Sequence, residues 1–295
     1  MLTIRTDLAA EAHAIWRDSA GKTTQLKGVK ARDTTLEGYP VHRVDILDQE
    51  GADALGKPQG VYLTLDITGY WRREEGAFSR AAGAVAQLLA PLLPEEGPVL
   101  AAGLGNAAMT PDALGPQAMG HLLVTRHLGQ VLPMLRPVSA LAAGVLGTTG
   151  IEVAEWVRGV SEHVCPAAVV LIDALASRGL DRLCNTIQLS DTGLIPGSGV
   201  GNHRMALNRE SLGVPVISIG VPTVVDVQTV ARDILAEAGG GESEPAALCG
   251  GGRNLFVTPD SIDAKVRDLA KLLGYGLDLA LQPDLELEDL EALLG

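Results

Sequence analysis

The sequence predicts an α/β protein with a mostly parallel sheet and helices on both faces. Three observations predict it. Two strand-length segments, 167–172 and 213–220, are apolar almost throughout, as in strands buried on both sides. Strand-like and helix-like segments alternate from residue 98 onward. The chain has 295 residues, 46% of them hydrophobic, enough for one large domain with an added subdomain.

Taken in order, residues 8–18 read as a helix, and 39–47 and 60–66 as strands rich in β-formers. Residues 78–93 form an alanine- and leucine-rich helix stopped by Pro94. A βαβ rhythm follows. Residues 98–102 are a short strand, 112–128 helical, 139–143 a strand, 151–164 helical and 167–172 a strand. The strand 213–220 leads to a helix over 225–238, a glycine-rich loop over 239–252 and a closing amphipathic helix over 266–281. The acidic tail 284–291 is expected to be solvated, and no internal repeat is present.

Composition excludes several function classes. A net charge of −13 disfavours sequence-independent binding to nucleic acid or anionic membrane, although a basic protein substrate remains compatible. No apolar stretch reaches the ~18 residues that span a bilayer, and residues 1–10 lack the apolar core of a secretory signal. A cytoplasmic protein is expected. Cys165, Cys184 and Cys249 are widely spaced and form no C-x-x-C, which suits reduced cysteines; a catalytic thiol is the alternative. The six histidines form no metal-ligand spacing, and no cofactor or metal is expected.

Two carboxylates stand where chemistry tends to sit. Asp173 follows an apolar strand, and ligands bind at the carboxyl ends of strands in open parallel sheets. Burial there would raise its pKa. The competing reading is a helix N-cap for Ala174 onward. Asp112 follows a glycine-containing turn after another strand, and also suits the first turn of a helix. Two carboxylates in one site cannot both ionise easily, so one can serve as acid while the other activates water.

Other motifs are incomplete. Gly103-Leu-Gly105 lacks the third glycine of a dinucleotide fingerprint, since Ala108 stands there. Gly21-Lys-Thr23 lacks the upstream glycine of a phosphate loop. The stretch Pro196-Gly-Ser-Gly-Val-Gly-Asn202 suits an anion nest, a flexible turn or a substrate-contacting loop, and Ser198 is not in a nucleophile elbow. Asp191-Thr-Gly193 imitates the signature of pepsin-like enzymes but occurs once, in a chain that alternates strands and helices; Asp191 reads as a turn residue.

Longer runs carry a family resemblance. Thr110-Pro-Asp-Ala-Leu-Gly-Pro116, Leu123-Val-Thr-Arg-His127, Gly147-Thr-Thr-Gly-Ile-Glu152 and Ile172-Asp-Ala-Leu-Ala176 are among them. Thr186-Ile-Gln-Leu-Ser-Asp-Thr-Gly193, Gly220-Val-Pro-Thr-Val-Val-Asp226 and Leu55-Gly-Lys-Pro58 continue the match. Together they span nearly the whole chain and resemble the germination proteases of spore-forming bacteria. The resemblance implies an endopeptidase that degrades small acid-soluble spore proteins in the spore core. It implies a homotetramer and a fold resembling that of hydrogenase-maturing proteases. The family's proposed active-site aspartates carry over onto Asp112 and Asp173. The family is made as a zymogen, and Arg5-Thr-Asp7-Leu8 resembles its processing site. The implied propeptide is residues 1–7, cut between Asp7 and Leu8, with residues 8–295 as a single protease domain. An acidic residue before the cut would need a cationic partner, for which Arg126, Arg178, Arg182 and Arg204 are candidates.

Overall fold

A computed structural model describes residues 6–19, 26–198, 204–237 and 255–294. The strands are β1 (Val29–Leu36), β2 (Tyr39–Ile46), β3 (Gly60–Asp66), β4 (Val99–Gly103), β5 (Val138–Ala142), β6 (Ala168–Ser177), β7 (Thr186–Ser190), β8 (Val216–Asp226) and β9 (Phe256–Val257). The helices are α1 (Ala9–Ser19), α2 (Gln49–Leu55), α3 (Ala77–Leu89), α4 (Leu114–Met119), α5 (Leu146–Thr149), α6 (Val153–Val164), α7 (Arg209–Leu212), α8 (Val227–Glu237), α9 (Ile262–Leu281) and α10 (Leu287–Leu294).

The nine strands among the described residues join one sheet in the order β1-β2-β3-β7-β8-β6-β4-β5, with β9 paired to the far end of β8. The βαβ half, β8-β6-β4-β5, is parallel as the apolar runs predict. The N-terminal strands β1, β2 and β3 extend the same sheet antiparallel, joined to β8 through the mid-chain strand β7.

Strand periodicity decides what each face touches. On one face Leu63, Leu65, Ile187, Leu189, Val170, Ile172, Ile217 and Ile219 pack beneath α3, α4 and α9 in the main core. The other face is covered in two separate places. Residues Val153, Ala154 and Val157 of α6 pack on Leu100, Ala102, Val169 and Leu171. Ala9 of α1 and Ala52 and Leu55 of α2 pack with Val29, Val44, Ile46 and Tyr62. Between these two clusters the alternating positions of β7 and β8 on this face are Gln188, Ser190, Ser218 and Gly220, which line a cavity. The polar centre of an otherwise apolar sheet marks the floor of a cleft.

Several expectations change. The predicted helix over 112–128 is three short pieces: a 3₁₀ turn at Thr110–Asp112, α4, and a 3₁₀ turn at Arg126–Leu128 that contains His127. Tertiary hydrogen bonds replace the helical ones after Gly120: Leu123 N donates to Asp278, and Thr125 N donates to Val138 O. Strand β6 does not stop at Ile172 but runs through Asp173 to Ser177, held by β8 along its length, so no helix begins there for Asp173 to cap. The acidic tail is partly helical, and α10 buries Leu290. Residues 239–252, with Cys249, lie outside the described residues, as does Gly21-Lys-Thr23. Cys165 caps α6 in the left-handed conformation, while Cys184 is buried and its thiol is pushed up to about 11, against a nucleophilic role. Asp191 is a turn residue whose Oδ1 accepts from Val61 N at 2.7 Å.

Asp278, on α9, has no solvent exposure and accepts Leu123 N–H through both carboxylate oxygens at 3.0–3.1 Å. Burial nevertheless lifts its pKa to about 7. A folded-state value above the unfolded one stabilises the fold at low pH, and that contribution is lost as pH rises from about 4 to about 7. Asp278→Asn keeps an acceptor and has no proton to lose. Unfolding measured from pH 4 to 8 should show the variant gaining on the parent by an amount on the order of a few kcal/mol. Parallel stability curves would refute this account of Asp278.

Candidate functional site

The cleft opens into two adjoining cavities of about 370 and 460 Å³. Both are lined by Asp7, Asp173, Ala174, Leu175 and Gly197. The second also contains Gly105, Asn106, Asp112 and Arg204. The two aspartates singled out from sequence therefore meet in one site, although they lie 61 positions apart in the numbering from Asp112 to Asp173.

Each aspartate is placed by backbone. Asp173 shares the sheet face of Val169 and Leu171, one step beyond the α6 cluster, where the face becomes open cavity. Its Oδ1 accepts from Ala174 N at 2.9 Å. Asp112 sits in the turn between β4 and α4, and its Oδ2 accepts from Asn106 N at 2.8 Å. Two glycines allow that turn to close on the sheet. Gly105 has φ +116°, and a Cβ there would lie 2.0 Å from Asp112 O. A Cβ on Gly115 would lie 2.4 Å from the carbonyl oxygens of both Ile172 and Leu104.

Electrostatics set the two carboxyls apart from ordinary aspartates. Asp173 is 6% exposed, and burial lifts its pKa well above the usual range, reinforced by the charge of Asp112 and then of Asp7. The Ala174 N–H and the Arg204 guanidinium work against that rise. Burial also raises Asp112, opposed by the Asn106 N–H and by Arg204. The charge of Asp112 disfavours ionisation of Asp173, and the titration of groups coupled in this way belongs to the pair. Such a pair can deprotonate water and protonate a leaving group.

The N-terminal segment enters the same site. Asp7 N donates to Ala176 O at 3.0 Å, and Asp7 Oδ2 accepts from Ala176 N at 2.9 Å. Its Oδ1 accepts from Ser198 Oγ at 2.8 Å. Leu8 is wholly buried. Glu11 on α1 ties this entry down by accepting from the backbone nitrogens of Arg178 and Gly179.

Lys57, which is not one of the four arginines singled out, lines the cavity beside Asp7, and its charge couples to that of Asp7. The Asp7 carboxylate is met by a backbone N–H and a hydroxyl, because the free edge of β6 beyond Asp173 supplies a donor. Of the four arginines singled out, Arg204 lines the cavity, where its charge acts on Asp112 and Asp173. Arg182 pairs with Asp66 and Asp181, and Arg126 is exposed.

The family model described as germination protease matches residues 8–237. The chain belongs to the germination protease family. A germination protease from Clostridium perfringens is 43% identical over 327 aligned positions, covering all of both chains. One from Caldanaerobacter subterraneus is 42% identical, covering all of this chain and 99% of its own length. One from Geobacillus is 35% identical, covering 97% and 95%. Among solved structures, a [NiFe] hydrogenase maturation protease from Thermococcus kodakarensis aligns with 18% identity and a TM-score of 0.37, covering 64% of this chain and 98% of its own.

Membership makes the chain a peptidase with a role in spore germination. No helix among the described residues is long and apolar enough to cross a membrane. Among the same residues no group of three or more His, Cys, Asp or Glu side chains is arranged to hold a metal ion.

Sequence reading missed several residues of this candidate site. Lys57, Tyr62, Gln188, Ser190 and Ser218 line the cavity beside Asp7. The polar positions 188, 190 and 218 within strands otherwise facing the core were the available signal, visible once β7 is recognised as a strand.

Proposed function

We propose that this chain is an endopeptidase that begins the degradation of small acid-soluble spore proteins, made as a zymogen that removes its own first seven residues. Water activated between Asp112 and Asp173 attacks the peptide carbonyl. One carboxyl takes the water proton, and the other supplies a proton to the leaving amine. The observation that carries the reading is the place of Asp7 in the cavity of the two aspartates, held there by Ala176 and Ser198. A substrate residue before the cut would take the place of Asp7. A short acidic side chain is preferred there because the Ala176 N–H and Ser198 hydroxyl are both donors. The same family reading proposes a homotetramer in the spore core.

The purified full chain should lose Met1 to Asp7 on mild acidification and should then cleave purified spore proteins, with or without chelator. Asp7→Ala removes both carboxylate contacts and should slow its own processing about 10-fold or more. Mass spectrometry decides. A cut elsewhere, or unchanged processing of Asp7→Ala, would reject this processing site. Loss of cleavage with chelator would replace the two-aspartate chemistry by a metal-assisted one. A processed chain that leaves spore proteins intact would reject the substrate.

A further inference from the structure

We infer that Lys57 and Gln188 form the oxyanion hole of this enzyme, a role that rests on the reading of Asp7–Leu8 as a cleavable bond. The carbonyl oxygen of Asp7 accepts two side-chain hydrogen bonds, from Lys57 Nζ at 3.1 Å and from Gln188 Nε2 at 3.0 Å. It is the carbonyl of the Asp7–Leu8 bond itself. Negative charge develops on that oxygen when water adds to its carbon, and preorganised donors aimed at it lower the barrier.

The arrangement is built rather than incidental. Gln188 is 8% exposed and stands on rigid β7, in the polar alternation that floors the cleft. Its Oε1 accepts from Ala9 N at 2.7 Å while its Nε2 faces Asp7 O. One amide thus brackets the bond, and an amide flip would set like dipoles against each other at both ends. Lys57 follows Gly56, the left-handed cap of α2, and precedes Pro58. Its ammonium also donates to Thr6 O at 3.0 Å, so it reaches the two successive carbonyls on the acyl side of the bond. Asp7 and Glu11 are the charges that favour its protonated form; Tyr62 and Asp173 line the same cavity. Burial draws the Lys57 pKa down more than those carboxylates raise it. An ammonium with reduced hydration is a stronger donor to a developing oxyanion.

In this scheme water oxygen bonds to the Asp7 carbonyl carbon, and its proton passes to the aspartate pair. The carbonyl electron pair moves onto oxygen, where Lys57 and Gln188 hold it. Collapse restores the carbonyl and breaks the C–N bond, as the leaving Leu8 nitrogen takes a proton from the pair. The products are a carboxylate on Asp7 and an ammonium on Leu8, which takes up the second water proton as well.

The test follows first-order loss of residues 1–7 from the full chain by mass spectrometry, alongside hydrogen exchange at the Asp7 amide. Lys57→Met should slow the cut about 10²- to 10³-fold, with the Asp7 amide still protected by Ala176 O. Gln188→Glu keeps the acceptor for Ala9 N but donates to Asp7 O only when protonated. Its rate divided by the parent's at the same pH should be lowest near neutral and rise as pH falls through the new carboxyl's titration. Asp173→Asn serves as the reference for the aspartate reading. If Asp173→Asn is inert while Lys57→Met cuts at the parent rate, the oxyanion hole is wrong and the aspartate reading stands. Slow cutting with loss of Asp7 protection would also overturn it, since Lys57 would then only dock the leader. If Lys57→Met does not fold, the Gln188→Glu profile decides: a variant-to-parent rate ratio that stays flat with pH refutes the assignment, and a ratio that recovers in acid supports it. A parent chain that never cuts at Asp7–Leu8 removes the underlying reading and this inference together.

Discussion

Asp173→Asn is expected to lower peptide cleavage by about 10²- to 10⁴-fold while leaving the fold as stable as the parent or more so at pH 7. The activity loss follows from replacing a titratable group that faces the cavity with an amide of similar volume that cannot move a proton. The stability gain follows from linkage. Burial and the charges of Asp112 and Asp7 hold the Asp173 pKa above its unfolded value. The folded state then binds the proton more tightly, so this group stabilises the fold below about pH 4 and loses that contribution as pH rises through the folded value. Asparagine keeps the acceptor for Ala174 N and carries no such loss. The variant's advantage should therefore widen from pH 4 upward. Asp112→Asn should lose activity comparably, with a smaller stability gain, because Asn106 N–H already supports its charge. Activity near the parent level in either variant would end the catalytic assignment. A destabilised Asp173→Asn at pH 7 would contradict the electrostatic account instead.

Gly105→Ala should disable the enzyme from the backbone side. The position has φ +116°, which an L side chain adopts only under strain, and the new Cβ would lie 2.0 Å from Asp112 O. The turn that carries Asp112 has to move, and its bond from Asn106 N moves with it. Strain and overpacking together should cost about 2–4 kcal/mol, and cleavage should fall as far as in Asp112→Asn. Gly115→Ala should behave similarly, because its Cβ would meet the backbone of Leu104 and Ile172 at 2.4–2.5 Å, with no side chain to rotate away. Gly147→Ala is the control: nothing lies within 4 Å of its Cβ, and helix α5 tolerates alanine. Thermal unfolding and spore-protein cleavage measured on all three variants separate the effects. If Gly105→Ala cuts at the parent rate, the Asp112 turn is not the constraint described here.

The parallel half of the fold was legible because its strands are buried on both faces. Residues 167–172 leave no polar side for water, and a strand of that kind needs helices above and below. Strand β1 was not legible. Its sequence, Val-Lys-Ala-Arg-Asp-Thr-Thr-Leu, is exposed at most positions, and it is a strand because β2 supplies its hydrogen-bonding partner. Strand β7 was hidden for a related reason: Gln188 and Ser190 interrupt its apolar pattern where the sheet face becomes cavity. The helix expected over 112–128 failed because local propensity could not foresee Asp278 and β5 taking the backbone hydrogen bonds of Leu123 and Thr125.

The sequence by itself determined the α/β class, the apolar strands and the family, through long runs of residues whose order does not depend on folding. It also singled out Asp112, Asp173, Asp7 and Leu8. Tertiary structure alone decided that β6 continues past Asp173, so the carboxyl faces a cavity rather than capping a helix. It decided too that neutral donors from Ala176 and Ser198 meet Asp7, and that Lys57 and Gln188 converge on its carbonyl. The physical reason is range. Apolar periodicity is a property of neighbours along the chain, whereas a site is made by groups far apart in it, such as Asp7 and Ser198, 191 positions apart, whose approach is set by sheet order and register.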